Sequence, residues 1–92
     1  MGESEFELFA AKLNQNLPKL DLHGFFPSDI SSKIDIFLVD LQRRGEKSGQ
    51  VVFGHGRGIL RNAALTELRD HPLVKGVELR DDGGSCVIIL ED

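Results

Sequence analysis

Residues 51–61 read Val-Val-Phe-Gly-His-Gly-Arg-Gly-Ile-Leu-Arg, and this stretch joins a predicted strand to a predicted helix. The apolar run at its start is typical of a buried strand, and the apolar spacing after Gly58 indicates a helix. The glycines between them leave bare backbone N–H groups at the start of the helix, where proteins bind anions. His55 and Arg57 add a titratable ring and a fixed positive charge. The stretch matches neither the nucleotide-binding P-loop, which needs a lysine, nor the GxGxxG fingerprint.

A second cluster, Leu20-Asp-Leu-His-Gly24, has the same layout of a short strand that ends in His-Gly. If the two strands are parallel neighbours, their carboxyl ends meet at the edge of the sheet where open α/β sheets bind ligands. Asp21 and His23 are two residues apart, so a strand would point both side chains to the same side. They could then form a pair in which the carboxylate orients the imidazole. The alternative is that each His is a polar strand-end residue and each Gly a turn residue.

Two helices are predicted on either side of the Leu20–Gly24 motif. Residues 3–14 carry apolar side chains at helical spacing, and Pro18 ends that segment. After Gly24, an apolar stripe at i, i+4, i+7, i+8 and i+11 predicts a second helix. Gly45 is the expected C-terminal cap of this helix. The stripe consists of Ile30, Ile34, Phe37, Leu38 and Leu41.

The remaining elements are a third helix from Gly58 to about Asp70, ended by His71-Pro72, and two strands at 74–80 and 86–90. The predicted fold class is therefore α/β (α+β), a two-layer sandwich with the order β-α-β-α-β-β. Its four-stranded mixed sheet carries the two main helices on one face. The first β-α-β unit is a right-handed crossover between parallel strands, and the last two strands form an antiparallel hairpin. The N-terminal helix could cover the other face of the sheet.

Length and composition describe one small domain with a modest core. No apolar stretch is long enough to span a bilayer, so no membrane partner is predicted. The N-terminus lacks a signal-peptide pattern, and the expected location is the cytoplasm. The single cysteine, Cys86, cannot form an internal disulfide and is expected to be a core residue in a reducing compartment.

The net charge of −4 argues against nucleic acid as a partner, but the charge is unevenly distributed. Residues 33–69 hold more basic than acidic side chains, while the two ends carry the excess acid. The glycine-rich stretch thus lies in a locally basic segment, as phosphate binding requires. Arg43 and Arg44, at the end of the second helix, are candidate phosphate contacts, although the helix dipole alone would explain cations there.

The two His-Gly motifs, followed by His71-Pro-Leu-Val74 and by Gly83-Gly84, resemble the small MutS-related (Smr) domain family over residues 17–90. LDLHG and HGRG are that family's signature motifs. The glycine loop is two residues shorter than the family's HGxGxGxLR, and the late GGxG pattern lacks its third glycine. The resemblance implies an Smr domain at residues 17–92, with residues 1–16 as a helical extension. It also implies a fold similar to that of the C-terminal domain of translation initiation factor 3.

Many members of the family are endonucleases that act on branched DNA or on RNA, and others bind nucleic acid without cleaving it. The resemblance therefore predicts nucleic acid, DNA or RNA, as the partner. The family's Asp-x-His motif corresponds to Asp21 and His23, and its HGxG motif to residues 55–58. Members occur as tails on MutS-like ATPases and as stand-alone proteins, so an ATPase domain of a larger parent is a further expected partner. The sequence leaves the oligomeric state open.

Cleavage of a phosphodiester bond needs a proton acceptor, a proton donor and positive charge where negative charge builds up. With RNA, the 2′-hydroxyl can be the nucleophile and no metal is needed. With DNA, water must attack, which favours a divalent metal, Mg²⁺ or Mn²⁺. One Asp and two His would, however, offer few ligands for it. The candidate catalytic residues are Asp21, His23 and His55. The candidate phosphate-binding residues are Gly56, Arg57, Gly58, Arg61, Arg43 and Arg44.

Three functions are therefore compared. The first is a nucleic-acid endonuclease, which the retention of both Asp21 and His23 favours. The second is a non-catalytic nucleic-acid-binding module of a DNA repair, recombination or ribosome-associated protein, which the shortened glycine loop and the net acidity favour. The third is a protein-interaction domain that docks through Phe6 and Phe9 of the N-terminal helix.

Overall fold

The structure is a computed structural model that describes residues 2–14, 16–56 and 58–92. Its order confirms the predicted helix followed by β-α-β-α-β-β. In the described part of the chain, no helix has the length and apolarity needed to cross a membrane. The elements are α1 (Glu3–Leu13), β1 (Lys19–Asp21), a 3₁₀ turn (Pro27–Asp29), α2 (Ile30–Arg43), β2 (Ser48–Val52), α3 (Ile59–Asp70), β3 (Val74–Leu79) and β4 (Ser85–Leu90).

The four strands form one mixed sheet in the order β1-β2-β4-β3. Strands β1 and β2 pair in parallel, with Leu20 opposite Val51. Strand β4 pairs antiparallel with both β2 and β3. The predicted parallel β1-α2-β2 crossover and the β3–β4 hairpin are therefore confirmed. Because β4 has a neighbour on each side and helices above and below, every residue of it is buried.

Helices α2 and α3 pack on one face of the sheet, because each presents an apolar stripe to it. The buried stripe of α2 consists of Ile30, Ile34, Leu38 and Leu41. It meets the inward-facing side chains Leu22, Val51, Cys86, Ile88 and Leu90. The packing is close at Gly49, where an added Cβ would lie 2.9 Å from Cδ1 of Leu41. Removal of this apolar surface from water is the main term that stabilises the fold.

Helix α1 covers part of the opposite face, as the sequence suggested. Lys12 forms an ion pair with Glu78 of β3 at 3.3 Å, and its carbonyl accepts a hydrogen bond from the Arg80 guanidinium at 3.2 Å. The small apolar cluster on this face consists of Leu8, Ala11, Leu17, Val87 and Ile89. The outer side of α1 leaves Phe6, Phe9 and Leu13 exposed.

Helix α2 ends in a Schellman motif, and Gly45 is its C-terminal glycine as predicted. The φ of Gly45 is 73°, in the left-handed region that favours glycine. Its N–H donates to the carbonyl of Gln42 at 3.1 Å, and the N–H of Glu46 donates to the carbonyl of Leu41 at 3.0 Å. The chain then turns directly into β2, so the last turn of α2 lies beside the start of that strand.

The burial of Cys86 predicts a loss of stability at alkaline pH. Burial raises the pKa of the Cys86 thiol from its ordinary value of 9.0 to about 12. Above pH 9 the unfolded chain releases this proton and the folded chain does not, so the free energy of unfolding falls as the pH rises towards 12. At about pH 10.5 the resulting loss in the free energy of unfolding is about 2 kcal/mol.

Denaturant titrations at about pH 7.5 and 10.5 would measure this loss. Cys86→Ala has no thiol, and it should lose less stability over the same interval because only the other titrating groups contribute. Equal losses in the two proteins would show that the Cys86 thiol does not cause the loss of stability at alkaline pH.

Candidate functional site

The carboxyl ends of β1 and β2 lie side by side, so both His-Gly motifs are at the same edge of the sheet. The N–H of Leu22 donates to the carbonyl of Val52 at 2.7 Å, which holds the first motif against β2. Further along, a Cβ added to Gly54 would lie 3.9 Å from Cβ of His23. The structure therefore places the Asp-x-His motif beside the start of the glycine-rich loop.

Asp21 and His23 lie side by side as predicted, although β1 ends at Asp21 and His23 lies in the turn that follows it. Oδ1 of Asp21 accepts the backbone N–H of His23 at 3.0 Å, an Asx turn that places the carboxylate beside the ring. The same oxygen lies 3.5 Å from ring atom Nδ1 of His23. The His23 side chain is 79% exposed, so the ring is open to a ligand at this edge.

The glycine-rich loop leads from β2 into α3 through two glycines in the left-handed region. The φ values of Gly54 and Gly58 are 83° and 84°, which side chains with a Cβ rarely adopt. Gly58 is the N-cap of α3 and, as a glycine, has no side chain with which to cap the helix. The first N–H groups of α3 are therefore left for a ligand. Arg57, the predicted cation of this loop, lies outside the described residues.

A cleft of about 380 Å³ opens beside the loop. Its walls are the loop, the first turn of α3 and the turn between β3 and β4. Arg61 of α3 folds back over the loop, so that a Cβ added to Gly58 would lie 2.8 Å from its Nη2. Of the described residues, the charged or titratable side chains that line this cleft are His55, Arg61 and Asp82.

The sequence reasoning missed the contribution of the β3–β4 turn, which it treated only as a hairpin turn. Asp82 lies on the wall of the cleft, and its Oδ2 is 3.9 Å from Nε2 of His55. The His55 ring lies against Gly84. The one signal in the sequence was the late Gly-Gly pattern shared with the Smr family. That pattern shows a tight turn but does not show which loop the turn contacts.

Arg43 and Arg44 are not at this edge of the sheet. Helix α2 starts near the Asp-x-His motif, and its 14 residues carry the chain about 21 Å along the helix axis, to the opposite edge. There Arg44 pairs with Asp40 at 3.1 Å and approaches Glu46 at 3.9 Å. The ion pairs account for Arg44, and the helix C-terminus accounts for Arg43. A phosphate that they contacted would be a different one from the phosphate at the glycine loop.

The third histidine, His71, has a structural role. Its Nδ1 accepts the N–H of Leu73 at 3.1 Å, so Nε2 carries the ring proton and donates to Asp35 at 3.0 Å. Both ring nitrogens are therefore in use. The His71 side chain joins α2 to the segment that enters β3, and it takes no part in the site at the glycine loop.

The described residues do not contain a preformed metal site. Within residues 2–14, 16–56 and 58–92, no group of three or more His, Cys, Asp or Glu side chains converges as metal ligands. Asp21 and His23 are adjacent and offer two donors, fewer than the three protein ligands of a typical catalytic zinc centre.

Residues 20–91 match the family model of the Smr domain. The chain belongs to the Smr domain family. Endonuclease MutS2 of Brevibacillus brevis is 39% identical over 74 residues, covering 78% of this chain and 9% of that protein. Endonuclease MutS2 of Thermomicrobium roseum is 37% identical over 75 residues, covering 79% of this chain and 10% of that protein. The Smr chain thus spans about a tenth of the length of these relatives.

Two solved structures share the fold of this Smr chain. The Smr domain of Thermus thermophilus MutS2 is similar with a TM-score of 0.77 and 24% identity, covering 83% of this chain and 100% of that one. YdaL, a stand-alone small MutS-related protein from Escherichia coli, is similar with a TM-score of 0.84 and 17% identity, covering 98% of this chain and 76% of that one. The predicted family and fold are confirmed.

Replacing Arg61 by Ala should weaken the binding of inorganic phosphate at the start of α3, because the cleft loses a cation. We expect the affinity to fall about 3- to 10-fold, as for a partly exposed charge-assisted contact. A titration that follows the amide resonances of Ile59 and Leu60 would measure it. Arg43→Ala removes the same charge at the opposite edge and should leave the affinity unchanged. If both variants lost affinity equally, phosphate would be responding to net charge and not to the cleft.

Proposed function

We propose that residues 17–92 form a nucleic-acid endonuclease domain that cleaves branched or structured DNA, or RNA, and that residues 1–16 are a helical extension. The observation that carries this proposal is that the Asp21–His23 pair lies beside the glycine-rich loop, which leads into the N-terminus of α3 at a glycine N-cap. Proton carriers and an anion site thus share one edge of the sheet. The relatives named Endonuclease MutS2 support the same function.

In this proposal the phosphate binds in the cleft at the start of α3. The N–H groups of the first helical turn and the Arg61 guanidinium hold its oxygens. Gly56 leaves room for a phosphate to approach the backbone, since a Cβ added there would meet nothing within 4 Å. Arg57 is proposed as a further cation from the same loop. These donors also stabilise the negative charge that builds up on the phosphorus oxygens during cleavage.

Proton transfer falls to the two exposed histidines. His23 takes the proton from the attacking hydroxyl, and Asp21 stabilises the imidazolium that results. His55 gives a proton to the leaving oxygen as the bond from phosphorus to that oxygen breaks. With RNA the attacking group is the 2′-hydroxyl of the substrate, and with DNA it is water. The same side chains are proposed to act on both substrates.

The second candidate function is nucleic-acid binding without cleavage. The contact of 3.5 Å between Asp21 and His23 is longer than a hydrogen bond, and both side chains are more than half exposed. Water screens such a pair and weakens the attraction between the carboxylate and a cationic ring. In this function the phosphate contacts of the cleft remain, and the histidines bind phosphate as cations.

We further propose that the domain acts together with a partner protein. The matched relatives carry the Smr domain as a small share of a much longer chain. This supports a MutS-like ATPase as the protein with which the domain acts.

The double variant Asp21→Ala/His23→Ala should lower cleavage at least about 100-fold, the usual contribution of general acid–base catalysis. Nucleic-acid binding should change little, because the cleft at α3 is intact. Labelled single-stranded RNA, duplex DNA and branched DNA would be tested with and without chelator, and circular dichroism would verify folding. Asp40→Ala removes an exposed carboxylate at the opposite edge and should cleave like the wild type.

If the wild type cleaves none of these substrates but binds one of them, and if binding falls in Arg61→Ala, the domain is the non-catalytic binding module. If the wild type and the double variant cleave equally, the activity does not arise from the Asp-x-His motif.

A further inference from the structure

The turn between β3 and β4, residues 81–84, is fastened to the glycine-rich loop. The carbonyl of Gly84 accepts the N–H of Phe53 at 2.9 Å and the N–H of Gly54 at 3.1 Å. These bonds extend the antiparallel pairing of β2 and β4, in which Val52 lies opposite Ser85. The backbone on either side of the cleft is therefore held in a fixed relation, and His55 follows directly after this contact.

The His55 ring rests on Gly84. A Cβ added to Gly84 would lie 2.6 Å from Nε2, 2.8 Å from Cε1 and 3.1 Å from Cδ2 of the ring. Separations this short are far inside van der Waals contact, so only a glycine leaves room for the ring in this position. A Cβ added to Gly56, in the same cleft, would meet nothing within 4 Å. The close fit is thus specific to the place where the imidazole lies.

Asp82 lies at the edge of the same ring and is itself anchored. Its Oδ1 accepts the N–H of Gly84 at 2.9 Å, and its Oδ2 lies 3.9 Å from Nε2 of His55. The neighbouring Asp81 makes no hydrogen bond or ion pair with the described part of the chain. Of two adjacent carboxylates in the turn, one faces the imidazole and the other does not.

We propose that Asp82 and Gly84 are positioning residues for His55. The site then holds two carboxylate–imidazole pairs, Asp21–His23 from the β1 side of β2 and Asp82–His55 from the β4 side. Asp82 faces Nε2, so Nδ1 is the ring nitrogen that gives its proton to the leaving oxygen. Asp82 and Arg61 are the charged side chains that line the cleft with His55 in the described residues. The catalytic consequence rests on the proposed endonuclease function, whereas the positioning of the ring does not.

Asp82→Asn tests the proposal, because an asparagine Oδ1 can still accept the N–H of Gly84 while the charge beside the ring is lost. We expect kcat to fall about 3- to 10-fold, a part of the general-acid contribution. KM should stay within about 2-fold, since the phosphate contacts are untouched. Asp81→Asn makes the same charge change in the same turn and should leave both constants unchanged.

Gly84→Ala provides the second variant. The φ of Gly84 is not among the positive values, so an alanine fits the backbone, and the exposed His55 ring can swing away from the new Cβ. The fold should be retained while kcat falls at least as far as in Asp82→Asn. A variant that lost kcat only in proportion to lost folded protein would point to strand packing and would overturn the positioning role.

A spectroscopic readout separates this proposal from the proposed function. In the wild type, nuclear Overhauser effects should join the His55 ring protons to the α-protons of Gly84. They should weaken in Asp82→Asn and persist in Asp81→Asn. If they persist in both variants, Asp82 does not position His55, whatever the activity. If the wild type cleaves nothing but the effects weaken only in Asp82→Asn, the endonuclease function fails and the positioning stands.

Discussion

The parallel pairing of β1 with β2 is the constraint on which the rest of the site depends. Leu20 lies opposite Val51 and Asp21 opposite Val52, so the two strands end at the same edge. Leu22 and Val51 are buried under the helices, which ties this register to the core. A slip of one residue would turn Asp21 into the core and Leu20 into solvent. The burial of alternate residues in β1 therefore also sets which side of the sheet carries the Asp–His pair.

Strand β4 supplies the other half of the site. It lies between β2 and β3, with one set of side chains packed under α2 and α3 and the other under α1. Because it is central, the turn that precedes it is delivered next to the end of β2. The loop after β2 is thus flanked by His23 from the β1 side and by Asp82 and Gly84 from the β4 side. The cleft arises where the loop after β2, the first turn of α3 and the β3–β4 turn meet, and it does not depend on any single motif.

Much of this architecture was predictable because its signals are local. The helix periodicity of α2, the Gly45 cap and the two His-Gly strand ends all lie within short windows of sequence, and each was found. The roles of Asp82 and Gly84 depend on the register that sets Val52 against Ser85, a long-range pairing that no local pattern encodes. Arg43 and Arg44 lie far from the loop because of the β1-α2-β2 crossover. The helix must carry the chain from the end of β1 back to the start of β2, which is at the opposite edge from the loop.

The central claim is that one phosphate is held at the start of α3, between the Asp21–His23 pair and the β3–β4 turn. A crystal structure of the chain with a short oligonucleotide that carries a non-cleavable phosphate linkage would test it most directly. The account predicts a phosphate within hydrogen-bond distance of the N–H groups of Ile59 and Leu60 and of the Arg61 guanidinium, with the His23 and His55 rings on either side. A phosphate bound beside Arg43 and Arg44, with the cleft at α3 left to solvent, would contradict the account.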